Sequence, residues 1–213
     1  MFQEDRVENI VVGITGASGA LYAQHLLQAL CKLGYHIHLA LSDAGALVMK
    51  HELGIDFPGA YPHFTSFFDC PADHVTVYHN ADMSATIASG RYPIKAMVIV
   101  PCSMNTLCSI AHGIANNLIQ RAASISIKEG RKLVVVPRET PLSSIHLEAM
   151  LKLSSTGVCI LPAMPGFYHH PKTIDDQVNF VVAKILDVLG IPHTLMPEWH
   201  GDDFVHVLMQ QEI

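Results

Sequence analysis

Runs of consecutive β-branched and aliphatic residues alternate along the chain with segments in which apolar residues recur at helical spacing. Each run has the length of a strand and stops at a turn of glycines, prolines or small polar residues. The five runs cover residues 10–14, 35–41, 94–100, 133–136 and 158–161. Strands that are apolar on both faces and separated by helices are typical of parallel sheets covered by helices on both sides. The pattern therefore predicts an α/β fold with a doubly wound parallel sheet.

Helices are predicted between these strands, with one long connection. The spacing indicates helices at residues 20–30, 46–52, 106–129, 145–151 and 174–189. We expect the third of them to be interrupted near Gly113, because glycine weakens a helix interior. Residues 54–73 are rich in Gly and Pro and predict a long excursion, followed by a short strand at residues 75–78.

The first strand runs into a turn in which Gly13, Gly16 and Gly19 are spaced three residues apart. Glycines let backbone N–H groups approach a phosphate, and the following helix start adds unpaired donors and a partial positive charge. The hydroxyls of Thr15 and Ser18 can donate further hydrogen bonds. The spacing is neither the dinucleotide fingerprint nor a Walker loop, because no Lys follows. We predict a phosphate-bearing ligand here; the alternative is that the glycines only permit a tight turn.

Ligands of doubly wound sheets bind beyond the carboxyl ends of the strands. Polar residues follow most of the predicted strands and are therefore expected in one crevice: residues 15–19, Ser42, residues 103–106, Arg138 with Glu139, and Tyr168. We expect the functional site at this edge of the sheet.

A cluster of basic residues interrupts an otherwise acidic chain. Five of the 13 Lys and Arg residues fall between positions 121 and 138, although the net charge is −6. They are Arg121, Lys128, Arg131, Lys132 and Arg138. Arg121 and Lys128 are seven residues apart, so they share a helix face and can together hold a second phosphate. A solvated basic face is an equal alternative for Arg131 and Lys132.

Two carboxylates near the predicted strand ends are open to more than one interpretation. Glu139 follows Arg138 directly and either holds it in an ion pair or accepts a proton. Glu52 falls at the end of a predicted helix and by itself is typical of a surface carboxylate. Composition does not decide between these roles.

Tyr168 and Lys172 have the Y-x-x-x-K spacing of short-chain dehydrogenases, which need both residues on one helix face. Pro171 lies between them and pushes His170 out of the α region, so this activity is disfavoured. The 14 histidines include no H-E-x-x-H pattern, and we predict no metal site.

Length and composition indicate a single domain over residues 1–213, with a core at about 9–190 and a C-terminal tail at 190–213. Only 15% of the residues are charged and 50% are hydrophobic, which predicts a homo-oligomer with apolar surface between subunits. No run of 18 apolar residues and no signal-peptide core are present, so we expect a cytoplasmic protein without a membrane span. The negative net charge disfavours nucleic acid as a partner.

The five cysteines also bear on this expectation. They are odd in number and widely spaced, and they form no C-x-x-C motif. Such spacing argues against both a disulfide framework and a zinc knuckle. We therefore predict reduced thiols.

Several motifs together resemble one known family. They are Thr15-Gly16-Ala17-Ser18-Gly19-Ala20, Pro101-Cys102-Ser103, residues 116–123 (NNLIQRAA), 133–142 (LVVVPRETPL), 144–148 (SIHLE) and Pro165-Gly166-Phe167-Tyr168. From about residue 9 to Trp199 the chain is similar to the flavin prenyltransferases, the UbiX and phenylacrylic acid decarboxylase group. PRETPL together with SIHLE is highly specific, whereas the first turn alone is not.

This resemblance implies a flavodoxin-like, Rossmann-like three-layer subunit that assembles as a dodecamer. It also implies an enzyme that transfers a dimethylallyl group from dimethylallyl monophosphate to N5 and C6 of reduced FMN without a metal. The prenylated FMN then serves a partner decarboxylase of the UbiD type, as in ubiquinone biosynthesis.

Matching positions imply the site residues. FMN would be bound by Gly16, Ala17, Ser18, Ser42, Ser103, Met104, Asn105, Thr106 and Arg138. The prenyl phosphate would be surrounded, partly from neighbouring subunits, by Arg121, Lys128, Glu139, Tyr168 and Lys184, with Trp199 as a C-terminal aromatic residue. The candidates for proton handling are Ser18, Glu52 and Glu139.

Two other functions stay open on the sequence. A flavin-dependent cysteine decarboxylase of related fold would oxidise its substrate and would not require the cluster of Arg121, Lys128 and Arg138. A non-catalytic flavin carrier would bind FMN and hand it to a decarboxylase without changing its mass.

Overall fold

A computed structural model of the chain describes residues 7–55 and 70–197. The elements are β1 (Asn9–Ile14), α1 (Ala20–Lys32), β2 (His36–Leu41), α2 (Asp43–Leu53), β3 (Val75–His79), β4 (Ala96–Cys102), α3 (Met104–Ala111), α4 (Leu118–Lys128), β5 (Lys132–Pro137), α5 (Ser144–Ser154), β6 (Cys159–Ile160) and α6 (Ile174–Leu189). Short 3-10 helices at Ala72–His74 and Thr86–Ala88 flank β3. Within the two described ranges, no helix is long and apolar enough to cross a membrane.

The sheet is parallel throughout, and its strands lie in the order β3-β2-β1-β4-β5-β6. The five strands predicted from apolar runs are β2, β1, β4, β5 and β6, and their spatial order is that of a flavodoxin-like sheet. The short strand predicted near residue 75 is β3, which adds a sixth member at the edge beyond β2. The order reverses between β1 and β4, so a ligand crevice opens at the carboxyl ends of these two strands.

Both faces of the sheet are buried because neighbouring residues of each strand enter different apolar clusters. In β1, Ile10 and Val12 pack on the side of α1 and α6, whereas Val11 packs on the side of α3 and α4. All seven residues of β4 are buried. Each such aliphatic side chain contributes roughly 1.5–3 kcal/mol relative to exposure. Burial on two faces therefore explains the continuous apolar runs and confirms the doubly wound sheet.

The helical spacing at residues 106–129 belongs to two helices. Helix α3 ends at Ala111, and Gly113 then takes a left-handed conformation with φ +73°. A new start follows at Leu118, where the Asn117 side chain accepts a hydrogen bond from Gln120 N. The expected interruption at Gly113 is therefore a complete break of the helix.

Helix α2 explains why a long connection precedes β3. It begins at the carboxyl edge of the sheet, where Ser42 N donates to Ile14 O, and its last turn returns to the start of α1 through Glu52. Thus α2 stays at this edge, while Val75 opens β3 at the opposite, amino edge. The end of α2 and the start of β3 therefore lie at opposite edges of the sheet. Of the predicted excursion, residues 56–69 lie outside the described ranges.

The cysteines depart from the prediction. Cys31, in the last turn of α1, forms a disulfide with Cys70, and their Cα atoms are 5.8 Å apart, a usual separation for this bond. Cys102, Cys108 and Cys159 are free thiols. The prediction of reduced thiols is therefore wrong for the first pair. A separation of 39 residues gives no local motif, so the spacing rules could not detect it.

Candidate active site

Thr15 joins the carboxyl ends of the two strands that border the crevice. Its hydroxyl donates to Pro101 O at 2.9 Å and accepts from Ser103 N at 2.7 Å, and only 2% of the residue is exposed. The sequence predicted that this hydroxyl donates to a ligand. Because both of its contacts are made within the protein, Thr15 shapes the crevice instead.

The glycines of the first turn permit close packing of α2 against β1. A Cβ atom on Gly16 would lie 2.5 Å from Ala44 Cβ, and one on Gly45 would lie 2.7 Å from Ile14 O. Gly19 has φ +119°, a conformation that favours glycine. The packing of α2 against β1 therefore requires glycines here, whether or not a ligand also binds at this turn.

Glu52 occupies the start of α1. Its carboxylate accepts from Gly19 N at 3.0 Å and from Ala20 N at 2.8 Å. These are first-turn donors that we had expected to face a phosphate, so that prediction is wrong for α1 itself. Glu52 is exposed, as expected of a surface carboxylate, but it is also bound to the two helix N–H groups.

Three predicted site residues, Ser18, Glu52 and Arg138, meet at the start of α1. Burial by itself would raise the pKa of Glu52, but the hydrogen bond from the Ser18 hydroxyl, the helix N–H groups and the Arg138 charge lower it below its ordinary value. Arg138 Nε also donates to Ser18 O at 3.2 Å. The result is an ionised carboxylate that is hydrogen-bonded to a hydroxyl and faces a guanidinium.

The start of α3 lies on the other side of the same crevice. The Ser103 side chain accepts from Thr106 N at 3.3 Å, and the two hydroxyls are 3.1 Å apart. The first-turn N–H groups of Met104 and Asn105 have no acceptor within the helix, and the helix dipole favours an anion there. Ser42 similarly caps α2 by accepting from Gly45 N. A helix start, hydroxyls and the Arg138 guanidinium are donors that fit the phosphate of FMN.

Arg138 and Glu139 face different partners. Arg138 turns toward Ser18, while a carboxylate oxygen of Glu139 accepts from Thr140 N at 3.0 Å. Glu139 is exposed at the end of β5. It lies at the carboxyl edge, as predicted, but the contact described for it is local.

Arg121 and Lys128 share the exposed face of α4, as their spacing predicted. Arg121 Nε donates to Ala88 O at 3.3 Å, and Lys128 Nζ lies 2.6 Å from a carboxylate oxygen of Glu129. Because α4 runs down to the start of β5, Lys128 lies near the amino edge of the sheet. One chain therefore does not bring Lys128 to its own carboxyl-edge crevice.

Tyr168 and Lys184 lie beside the edge strand β6. The Tyr168 ring meets Phe180 edge to face at 5.7 Å, and Lys184 Nζ is 3.1 Å from Asp187 Oδ2. Phe180 and Lys184 line a groove of about 360 Å³ together with Ile160, Leu161, Met164 and Asp187. Tyr168 and Lys172 both precede α6, which confirms that they share no helix face. Trp199 lies outside the described residues.

One contact that helps to build the site was not predicted. Asn80, directly after β3, caps α4: its carbonyl oxygen accepts from Leu118 N and its side-chain oxygen from Ile119 N. The signal available was an Asn after a strand, which is common in turns and does not identify its target. In residues 7–55 and 70–197, no three His, Cys, Asp or Glu side chains group as a metal site.

Comparison with known proteins decides the family. Residues 2–186 match the family model described as Flavoprotein. The chain is 52% identical over 198 residues to flavin prenyltransferase UbiX of Alkalihalophilus pseudofirmus, an alignment that covers 92% of this chain and 98% of that protein. The chain belongs to the flavin prenyltransferase family. The resemblance carried by the PRETPL and SIHLE motifs is thereby confirmed.

Solved structures of flavin prenyltransferase relatives share the fold. A dodecameric FMN-dependent UbiX-like decarboxylase from Escherichia coli O157:H7 superposes with a TM-score of 0.80 at 43% identity, over 91% of this chain and 100% of that one. AnUbiX (PadA1), in complex with FMN and dimethylallyl pyrophosphate, gives 0.82 at 35% identity, over 92% and 99%. The cysteine decarboxylase TvaF gives 0.59 at 14% identity, a likeness of fold alone.

Proposed function

We propose that this protein transfers a dimethylallyl group from dimethylallyl monophosphate to N5 and C6 of reduced FMN. The strongest support in the structure is the meeting of Ser18, Glu52 and Arg138 at the crevice between β1 and β4. The related PadA1 was solved with FMN and a dimethylallyl ester together, which supports the same pair of substrates here.

The residues at the carboxyl edge would hold FMN. Bound and reduced, FMN supplies a nucleophilic nitrogen, N5, for the transfer. Arg138 and the first turn of α3 would bind its phosphate, since a guanidinium and free helix N–H groups are the strongest anion donors at this edge. Because Gly16 has no side chain and Ala17 only a methyl group, FMN could approach the backbone of this turn closely.

The basic and phenolic residues would stabilise the leaving group. Cleavage of the allylic C–O bond develops negative charge on the departing phosphate. Arg121, Lys128 and Lys184 offset this charge, and the Tyr168 hydroxyl donates a hydrogen bond to it. These groups supply the charge that a metal ion supplies in other phosphate chemistry, so the reaction is proposed to be metal-independent.

Proton transfer would complete the reaction. Ring closure would form the bond to C6, add a proton to the double bond of the dimethylallyl group and remove one proton from C6 to a base. The ionised Glu52, hydrogen-bonded to the Ser18 hydroxyl, provides such a base with a short relay. Glu139 is the second candidate, because it lies beside Arg138 at the same edge.

A second copy of the chain would complete the site. Lys128 lies near the edge of the sheet opposite to the crevice, so its ammonium would act on the prenyl phosphate at the crevice of another subunit. Helix α5 also presents Ile145, Leu147 and Leu151 with 65, 52 and 72% of each residue exposed, which favours burial between subunits. We propose a dodecamer, the assembly described for the relative from Escherichia coli.

The product would act elsewhere. Prenylated FMN is a modified cofactor and is proposed to pass to a UbiD-type decarboxylase. Both proposed substrates carry phosphate charges that prevent free passage through a bilayer, which supports a reaction in the cytoplasm.

Mass spectrometry of the flavin tests the reaction directly. The protein is incubated with reduced FMN and either dimethylallyl monophosphate or the diphosphate, and the released flavin is weighed. The expected result is a gain of one isoprene unit with the monophosphate. An unchanged flavin mass with both donors, despite bound FMN, would leave the carrier function in its place.

A further inference from the structure

The segment Ala88–Gly90 lies along the basic face of α4 and is held there by two guanidinium groups. Arg121 Nε donates to Ala88 O at 3.3 Å. Arg131 Nη2 donates to Gly90 O at 2.5 Å. Arg131 is half-buried, whereas the next residue, Lys132, is exposed. The two residues that sequence reasoning treated alike therefore have different environments.

Gly90 also packs against the partner of Lys128. A Cβ atom on Gly90 would lie 2.7 Å from a carboxylate oxygen of Glu129 and 3.4 Å from Lys128 Nζ. Glu129 in turn binds Lys128 at 2.6 Å. The hydrogen bond and charge of Lys128, followed by the charge of Arg131, lower the pKa of Glu129 below its ordinary value. An ionised carboxylate is thus held between two cations and a glycine backbone.

We propose that Arg131 and Glu129 are positioning residues that hold the Ala88–Gly90 backbone and thereby fix Lys128 relative to Arg121. This inference rests on the proposed function, in which those two cations bind the leaving phosphate. Arg131 fixes the Gly90 carbonyl, Glu129 fills the space beside Gly90, and the Lys128 ammonium is directed by Glu129. Arg131 contacts neither substrate in this arrangement and acts through the backbone that it holds.

A fixed distance between the charged groups of Arg121 and Lys128 would favour the binding of one phosphate by both. Seven residues of helix separate Arg121 and Lys128 by about 10 Å along the axis, and long cationic side chains are otherwise flexible. A phosphate that is bound by both groups requires their heads to converge. Holding Arg121 at the Ala88 carbonyl and Lys128 at the Glu129 carboxylate reduces the conformational freedom that binding would otherwise have to remove.

Four variants of the full-length, FMN-loaded protein test this role. Arg131→Gln removes the donor to Gly90, and Gly90→Ala inserts a methyl group against Glu129. Both are expected to raise KM for dimethylallyl monophosphate about tenfold, with FMN affinity unchanged within twofold. Arg131→Lys should restore part of the loss. Lys132→Gln, at the adjacent exposed position, should leave all parameters within twofold.

The outcomes separate the positioning role from the alternatives. Equal kinetics of Arg131→Gln and Lys132→Gln would overturn the role and leave a solvated basic face. A parallel loss of FMN affinity and thermal stability in Arg131→Gln and Gly90→Ala would overturn it in favour of a general structural role. If the wild-type protein leaves FMN unmodified, the proposed function fails separately, and calorimetry with dimethylallyl monophosphate then decides the role by the same comparison of affinities.

Discussion

The two parts of the proposed site are built in different ways. At the carboxyl edge, the contact of Arg138 with Ser18 spans 120 positions, and that of Glu52 with Gly19 spans 33. On α4, Lys128 pairs with its own neighbour, Glu129, and both side chains remain exposed. The first part is therefore built from contacts within a single chain, whereas the second faces outward, where we propose that a second copy lies opposite it.

Because the two parts are built differently, FMN binding and prenyl transfer should respond differently to changes in each part. FMN binding depends on contacts within one chain, so it should survive changes on α4. Prenyl transfer depends on both parts, so it should be lost when either is changed. The variants below are ordered by the size of the expected effect and test this separation.

Glu52→Gln should have the largest effect on activity. The amide cannot carry a proton between Ser18 and the flavin, and general-base catalysis typically contributes about 10²–10⁴-fold to a rate. We expect a loss in that range in the rate of flavin prenylation, measured by mass spectrometry over time. The matched control is Glu148→Gln on exposed α5, which should retain the wild-type rate. A rate within twofold of wild type would assign the proton to Glu139 instead.

Lys128→Ala should lower prenylation by about 10²-fold, because one cation is removed from the leaving phosphate. FMN affinity, measured by fluorescence quenching, should stay within twofold, since Lys128 is proposed to contact the prenyl phosphate and not FMN. Lys152→Ala on α5 is the control for loss of an exposed positive charge. Unchanged prenylation in Lys128→Ala would contradict the proposed role of Lys128 at the leaving phosphate.

Cys70→Ser tests the disulfide at the end of α1, which lies on the face of the sheet opposite to α4 and at the edge opposite to the crevice. The disulfide closes a loop of 39 residues, and its loss should lower the free energy of unfolding by about 2–4 kcal/mol in chemical denaturation. Prenylation at 25 °C should be unchanged, since the carboxyl edge is held by other contacts. Cys159→Ser, which removes a free thiol, should leave the stability near that of wild type. Equal stability of wild-type protein with and without reductant would contradict the expectation.

The sequence predicted the fold well because apolar runs and helical spacing are local consequences of burial. It also located the carboxyl edge, since strand ends follow from the strands. The backbone partners of Glu52 and Arg131 were not predictable, because the N–H of Gly19 and the carbonyl of Gly90 lie far along the chain and carry no recognisable motif. The disulfide between Cys31 and Cys70 was not predicted either, because the two cysteines are 39 positions apart and form no local motif.

The smallest expected effect concerns His38, in a polar cluster of β2 that belongs to neither part of the site. Its ring contacts the hydroxyls of Tyr78 at 2.9 Å and Tyr92 at 3.0 Å. Burial, and then the charge of His36, lower the pKa of His38 from 6.5 to about 4. The folded protein therefore keeps this ring neutral at a pH at which the unfolded chain binds a proton. Its contribution to stability is present above pH 6.5 and is lost as the pH falls toward 4.

His38→Gln should therefore flatten the pH dependence of stability between pH 6.5 and 4, where the wild-type protein is expected to lose at most about 3 kcal/mol. Glu52 has a lowered pKa, so its contribution is present above its ordinary pKa near 4.5 and disappears only below that pH. The two pH windows thus separate the polar cluster from the carboxyl edge. His112→Gln, at an exposed position, is the control. An unchanged pH profile in His38→Gln would show that the pKa of this ring does not differ between the folded and the unfolded protein, and other groups would then account for the loss of stability.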